Sequence, residues 1–308
     1  MNLRGRDLIS MDDFTAEEVR GVLERAAAMK RTGGADPTRP LAGRVLAMIF
    51  EKPSLRTRVT FEVGMAHLGG AAIYLAPSDA QLGTRETIPD AARNLARWVD
   101  AIMARTFAHD TVVQLAEFAS VPVINGLSDL EHPCQTLADL LTLSERLGDF
   151  RGRTLAWVGD GNNVCHSLLL GAAKLGLSVQ VATPAGFAPT PAVVERARSL
   201  ARDAEAAIEV MEDPAEAASG ADAIYTDVWA SMGQEQEKTA RARAFRPYQV
   251  NAALVARAAP TAIVLHCLPA HRGEEITDDV LDGPHSAVLD QAENRLHAQK
   301  ALLAMILS

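Results

Sequence analysis

The feature that most constrains this chain is a repeated alternation of short apolar runs with longer segments of helical period. After a first helix in "SMDDFTAEEVRGVLERAAAMK", marked by a Ser cap and early acids, come the strand "RVLAMIF" and a helix over 54–68, then "AAIYLAP" and a helix over 88–99. "AIMAR" precedes a helix over 111–119, and "VPVINGL" a long apolar helix over 135–147. A polar stretch, "RLGDFRGR", interrupts the pattern. The alternation then resumes through "TLAWVG", "SVQVATP", "AIEVM", "AIYTDVW" and "AIVLHCL", and a last helix over 291–307 has no strand after it. Strands that alternate with helices form parallel sheets covered on both faces. The expected fold is therefore α/β, with two doubly wound parallel-sheet domains. The polar stretch sets the expected boundary, with 1–148 as the first domain and 149–290 as the second.

Bulk properties narrow the function. A chain of 308 residues suits two such domains. The formal net charge of −9, with no basic tail or stripe, argues against nucleic-acid binding. Any anion site must be a local cluster of cations. The three cysteines, Cys134, Cys165 and Cys267, form no CxxC pair, which suits a reducing cytoplasm. The N-terminal segment lacks the apolar core of a signal peptide, and no segment reaches membrane-spanning length. A soluble cytoplasmic protein is expected.

Open α/β sheets bind ligands at the carboxyl ends of their strands. In "FEKPSLRTRVTFE", Ser54 can cap a helix whose first turn carries Arg56, Thr57 and Arg58. Helix N-termini present unpaired N–H groups, so this segment offers an anion site; a capped helix with solvated arginines is the plain alternative. Arg105 ends "AIMAR". "EHPCQ" sets His132 and Gln135 at a helix start, donors suited to a carbonyl oxygen and an amide. "GDGNNV" is a weak dinucleotide fingerprint: Val164 replaces the third glycine, and "SVQVATP" ends in Thr183 and Pro184 where an acid is expected. A nicotinamide-dependent dehydrogenase thereby loses its two main supports, and Asn162 and Asn163 offer amides instead. Asp227, at a strand end, can pair with an ammonium or merely cap a helix. Cys267 is a candidate nucleophile or a small core residue. Its neighbour His266 points to the opposite strand face, whereas His271 can approach through the loop.

Taken together and in order, "FEKPSLRTR", "EHPCQ", "GDGNN", "DVWASMGQE", "HCLPAH" and "DQAENRLH" resemble the aspartate/ornithine carbamoyltransferase family over essentially the whole length. "DVWASMG" and "HCLPAH" point to ornithine as acceptor. The resemblance implies an active site in the cleft between the two domains, with the C-terminal helix, about 291–308, packing back on the first domain. It further implies that Ser54, Leu55, Arg56 and Thr57 hold the phosphate of carbamoyl phosphate. Leu55 stands where the family commonly has Thr, so only its main-chain N–H serves. Arg105 is implied to contact phosphate and carbonyl oxygen, His132 that same oxygen, and Gln135 the carbamoyl amino group. Gln81 matches a residue that reaches a neighbouring subunit's site, and Arg295 completes the carbamoyl phosphate site. Asn163, Asp227, Ser231 and Met232 match ornithine-binding positions, and Cys267 and Leu268 lie where the two substrates meet. The catalytic assignments fall on Cys267, Arg105, His132 and Arg56.

The implied reaction converts L-ornithine and carbamoyl phosphate to L-citrulline and phosphate, in a homotrimer with shared sites. No metal and no cofactor is expected. Alternatives are a carbamoyltransferase acting on acetylornithine, succinylornithine or putrescine, or a non-catalytic binding protein on this fold. The sequence leaves open whether the reaction serves arginine synthesis or breakdown, assembly beyond the trimer, allostery, and the group that removes the amine proton.

Overall fold

The structure, a computed structural model, describes residues 3–230 and 235–308. The chain divides into two compact units, Met1–Leu141 with Glu293–Ser308, and Thr142–Ala292. In chain order the first contains α1 (Ala16–Thr32), β1 (Val45–Phe50), α2 (Leu55–His67), β2 (Ala71–Leu75), α3 (Pro77–Ala80), α4 (Ile88–Leu95), β3 (Ala101–Arg105), α5 (His109–Phe118) and β4 (Val123–Leu127). Helix α6 (Pro133–Leu147) runs past the division. The second contains β5 (Thr154–Val158), α7 (Asn163–Leu175), β6 (Ser178–Ala182), α8 (Pro191–Asp203), β7 (Ile208–Met211), α9 (Pro214–Ala218), β8 (Ala223–Thr226), α10 (Lys238–Phe245), α11 (Ala252–Val255), β9 (Ile263–His266) and α12 (Asp278–Leu281). Helix α13 (Val288–Leu307) closes the chain and lies mostly in the first unit.

Both sheets are wholly parallel, in the orders β2-β1-β3-β4 and β7-β6-β5-β8-β9. The central strands are continuous apolar runs because both of their faces are covered. Leu46–Phe50 of β1 and Leu155–Val158 of β5 are all buried. In each sheet the strand order reverses once, between β1 and β3 and between β5 and β8. Chain leaving such a pair diverges and opens a crevice at the strand ends. Residues 51–58 and Arg105 flank the first reversal; residues 159–163 and Asp227 flank the second.

The two doubly wound parallel sheets match the expected fold, and the C-terminal helix does pack on the first unit. Lys30 Nζ donates to Asn294 Oδ1 at 2.9 Å and Lys300 Nζ to Gly34 O at 2.9 Å. Gly64 lies against the same helix, with Leu303 Cδ1 3.7 Å from where a Cβ would stand. One expectation is corrected at the N-terminus. Ser10 caps a separate 3-10 turn, Met11–Asp13, and α1 has its own capping box from Thr15 and Glu18. Phe14 and Thr15 are extended, so the two cannot merge into one helix. Gly161 explains part of "GDGNN" without a dinucleotide: a Cβ there would stand 2.2 Å from Pro189 N, so only glycine lets these backbones approach.

Candidate active site

The first unit gathers cations and donors at its reversal point. Ser54 caps α2, accepting from Thr57 N–H at 3.3 Å, and the first helical turn then presents main-chain N–H groups outward. Leu55 has a side chain 75% exposed, so its side chain adds nothing to a pocket here. Thr57 is buried and Arg56 half-buried. Arg105, at the end of β3, is buried beside Phe50 of β1.

The deciding contact comes from α13. Arg295 is 2% exposed; its Nη1 donates to Gln135 Oε1 at 2.6 Å and its Nη2 to Thr57 Oγ1 at 3.1 Å. One guanidinium thus ties the start of α2 to the start of α6. Gln135 Nε2 is turned to Asp139 Oδ1 at 2.8 Å, so the oxygen of the amide is what faces the site. Because Thr57 Oγ1 accepts from Arg295, its own hydroxyl proton can be given to a ligand. His132, 5% exposed, has its pKa held well below 6.5, first by burial and then by the charges of Arg295, Arg105, Lys52 and Arg56. Its imidazole is neutral at pH 7 and can donate without carrying a charge. Lys52, present in "FEKPSLRTRVTFE" but given no role from the sequence, belongs to this group. Burial and Arg105 lower its pKa, and its ammonium lies 4.7 Å from the Phe107 ring centre. Gln81 is exposed and left-handed at φ 36°, and it lines a surface depression with Phe50, Glu51 and Phe107. It is not among the residues bonded to Arg295.

The second unit builds a different half-site. Asn162 caps α7, its oxygen accepting from Val164 N–H at 3.0 Å and Cys165 N–H at 3.2 Å. Its Nδ2 donates to Asp227 Oδ2 at 2.8 Å. Asp227 Oδ1 accepts from Val228 N–H at 2.8 Å and from the Cys267 thiol at 3.0 Å. The thiol therefore engages a carboxylate rather than an imidazole. His266 is nearby but bonded elsewhere: its Nδ1 accepts from Leu268 N–H at 2.9 Å and its Nε2 meets Glu275 Oε1 at 3.1 Å. Asn163 is half-exposed at the first residue of α7. Cys267 and Leu268 belong to this second unit, apart from the other residues assigned to carbamoyl phosphate. Ser231 and Met232 lie outside the described residues. Donor atoms of Asp227, His266 and Cys267 lie within 4.8 Å of one another, as do those of His271, Glu274 and Glu275; these are the groups able to hold a metal among the described residues.

Sequence reasoning missed the support beneath this half-site. Arg241 is buried. It donates to Asp160 Oδ2 at 2.9 Å, to Trp229 O at 3.0 Å and to Glu237 Oε2 at 2.9 Å, with its guanidinium 4.9 Å from the Phe187 ring centre. It thereby pins the chain after β5 to the chain after β8. Nothing local in "KTARARAF" distinguishes Arg241 from Arg243; only helical phase does.

With this geometry established, comparison with known proteins is direct. Residues 6–145 match the carbamoyl-P binding domain of aspartate/ornithine carbamoyltransferase, and residues 151–306 its Asp/Orn binding domain. The chain belongs to the aspartate/ornithine carbamoyltransferase family. It is 56% identical to the ornithine carbamoyltransferase of Pyrococcus horikoshii, over 100% of this chain and 97% of that one. The solved ornithine carbamoyltransferase from Pyrococcus furiosus superposes with a TM-score of 0.96 at 54% identity, covering 100% of this chain and 98% of that one. The structure from Gloeobacter violaceus gives 0.90 at 50%, covering both chains fully.

Asp160 yields a measurable consequence. Burial lifts its pKa from 3.8 to about 6, against the opposing pull of Arg241. The unfolded chain loses this proton first, so the group's contribution to stability is present below 3.8 and lost as pH rises through about 6. Asp160→Asn should flatten that loss in urea-denaturation stabilities measured across this pH window. An unchanged slope would contradict it.

Proposed function

We propose that the chain transfers the carbamoyl group of carbamoyl phosphate to the side-chain amine of L-ornithine, giving L-citrulline and phosphate. The observation that carries this reading is the bonded set Arg295–Thr57–Gln135, with Arg105 and a neutral His132 beside it. Phosphate takes the N-terminus of α2, through Ser54, the Leu55 N–H, Arg56 and Thr57, with Arg105 and Arg295 as further donors. The carbamoyl carbonyl oxygen takes Arg105 and His132. The carbamoyl NH₂ donates to Gln135 Oε1, the atom that Asp139 leaves facing the site. Gln81 serves the carbamoyl phosphate site of a neighbouring subunit. Ornithine takes the second unit: Asp227 for an ammonium, with Asn163, Ser231 and Met232 around the amino acid and Cys267 and Leu268 at the reacting end.

The amine must attack in its neutral form. An alkylammonium has a pKa near ~10.4, so neutralising it at pH 7.4 costs about 4 kcal/mol. In the second unit the Asp227 carboxylate, already bonded to the Cys267 thiol, offers an acceptor for that proton. Attack forms the C–N bond and moves the carbonyl π pair onto oxygen, where Arg105 and His132 stabilise it. Collapse breaks the C–O bond to phosphate, which departs with that electron pair and can accept the amine proton. A donor of this kind is worth about 2.7–4 kcal/mol in other enzymes.

The direction of the reaction follows one relative's description, and assembly follows the exposed surface. One relative 55% identical over the whole chain is described as anabolic, which supports a role in arginine biosynthesis. A homotrimer is supported by exposed apolar side chains in the first unit: Leu55, Val59, Ile73, Trp98, Phe107 and Val113. A cytoplasmic setting is supported by the absence of a disulfide among the three cysteines. Among the described residues no helix is long and apolar enough to cross a membrane.

A colorimetric citrulline assay with carbamoyl phosphate tests the acceptor. Ornithine should turn over, whereas acetylornithine, succinylornithine and putrescine should not; activity confined to one of those three would overturn the assignment. Arg56→Gly should lower kcat by roughly 10²–10³-fold with an unchanged melting curve, and wild-type turnover would contradict the phosphate role. Cys267→Ala should raise the ornithine KM or slow turnover; unchanged kinetics would make the thiol a packing residue only.

A further inference from the structure

Glu131 opens the "EHPCQ" motif, directly precedes His132, and has no part in the chemistry above. It is 3% exposed. Its carboxylate is held from the far N-terminus: the Ser10 hydroxyl donates to Oε1, and Met11 N–H donates to Oε2 at 2.9 Å. Its main chain is held by Ser128, whose N–H donates to Glu131 O at 2.9 Å and whose hydroxyl accepts from Glu131 N–H at 3.2 Å.

The segment supplying Ser10 and Met11 is itself fastened to β4. Leu8 N–H donates to Val123 O at 3.0 Å, and Asn125 N–H to Leu8 O at 2.8 Å. Val123 N–H donates to Asp7 Oδ1 at 2.7 Å, and Asn125 Nδ2 to Ile9 O at 2.9 Å. Residues 7–11 thus lie along the sheet edge as a strap, and the Glu131 carboxylate is where the strap grips the turn that delivers His132.

We propose that Glu131 is a positioning residue for carbamoyl transfer, tying the N-terminal segment to the turn before α6 and thereby fixing where His132 presents its ring. The proposal rests on the reading of His132 as donor to the carbamoyl oxygen. Two donors on two separate oxygens restrain the carboxylate in both position and rotation, and the main-chain pair with Ser128 passes that restraint to the next residue. Misplacing a catalytic donor by about an ångström is enough to slow a reaction strongly.

The test is a double-mutant cycle on the full chain, with ornithine varied at saturating carbamoyl phosphate and a melting curve for each variant. Glu131→Ala should lower kcat by roughly tenfold while leaving the ornithine KM unchanged. Glu131→Gln keeps an acceptor for Met11 N–H and should recover most of that loss. In a His132→Ala background, Glu131→Ala should cost nothing further. Wild-type kinetics for Glu131→Ala, or a loss that multiplies in full with that of His132→Ala, would overturn the positioning role while leaving the His132 reading intact. Wild-type turnover by His132→Ala would instead overturn that reading and the proposal with it. Should Glu131→Ala fail to fold, Ser10→Ala serves in its place: a partial loss of kcat that vanishes in the His132→Ala background supports the proposal, and wild-type kinetics contradict it.

Discussion

A buried arginine on the last helix organises the first half of this molecule. A guanidinium as deep as Arg295 destabilises a fold unless its donors are met. Thr57 and Gln135 meet two of them with neutral oxygens, which satisfy the hydrogen bonds without cancelling the charge. Several consequences follow from that choice. The start of α2 and the start of α6 are fixed relative to each other, the oxygens of Thr57 and Gln135 are held in place, and the remaining charge adds to burial in lowering the pKa of His132. A parallel sheet supplies the strand ends; on the proposed reading, the terminal helix converts them into a site for a dianion.

The second unit solves the opposite problem. Its focal charge is negative: Asp227, buried at the end of β8, takes hydrogen bonds from Asn162, Val228 N–H and Cys267. Such an acid is suited to an ammonium, as the first unit is suited to a phosphate. Arg241 stiffens the floor beneath it by bonding chain from both sides of the strand reversal. The division of labour between a cationic and an anionic half-site is what a reaction joining an anionic donor to a cationic acceptor requires.

Much of this was legible in the sequence, for identifiable reasons. Strands such as "VLAMIF" and "AIMAR" are unbroken apolar runs because both sheet faces are covered, and that pattern survives in one dimension. Ser54, Arg105, His132 and Asp227 could be named because strand ends are where such sheets place chemistry. What could not be read depends on side-chain direction across the fold. Asn162, not Asn163, bonds Asp227, since only the capping position turns its amide inward. The Cys267 thiol meets a carboxylate from another strand rather than a histidine, a choice set by which strands are neighbours. Arg241 and Glu131 look like ordinary surface charges until packing buries them. The Ser10 cap was legible as a cap, but not as belonging to a separate turn.

Function in the first unit depends on Arg295 and its partners forming a phosphate site. Isothermal titration of inorganic phosphate into the wild-type protein and into Arg295→Leu addresses this without any assumption about the acceptor. The wild type should bind saturably and Arg295→Leu should not, with the variant still folded by circular dichroism. Equal phosphate affinity in the two folded proteins would contradict it.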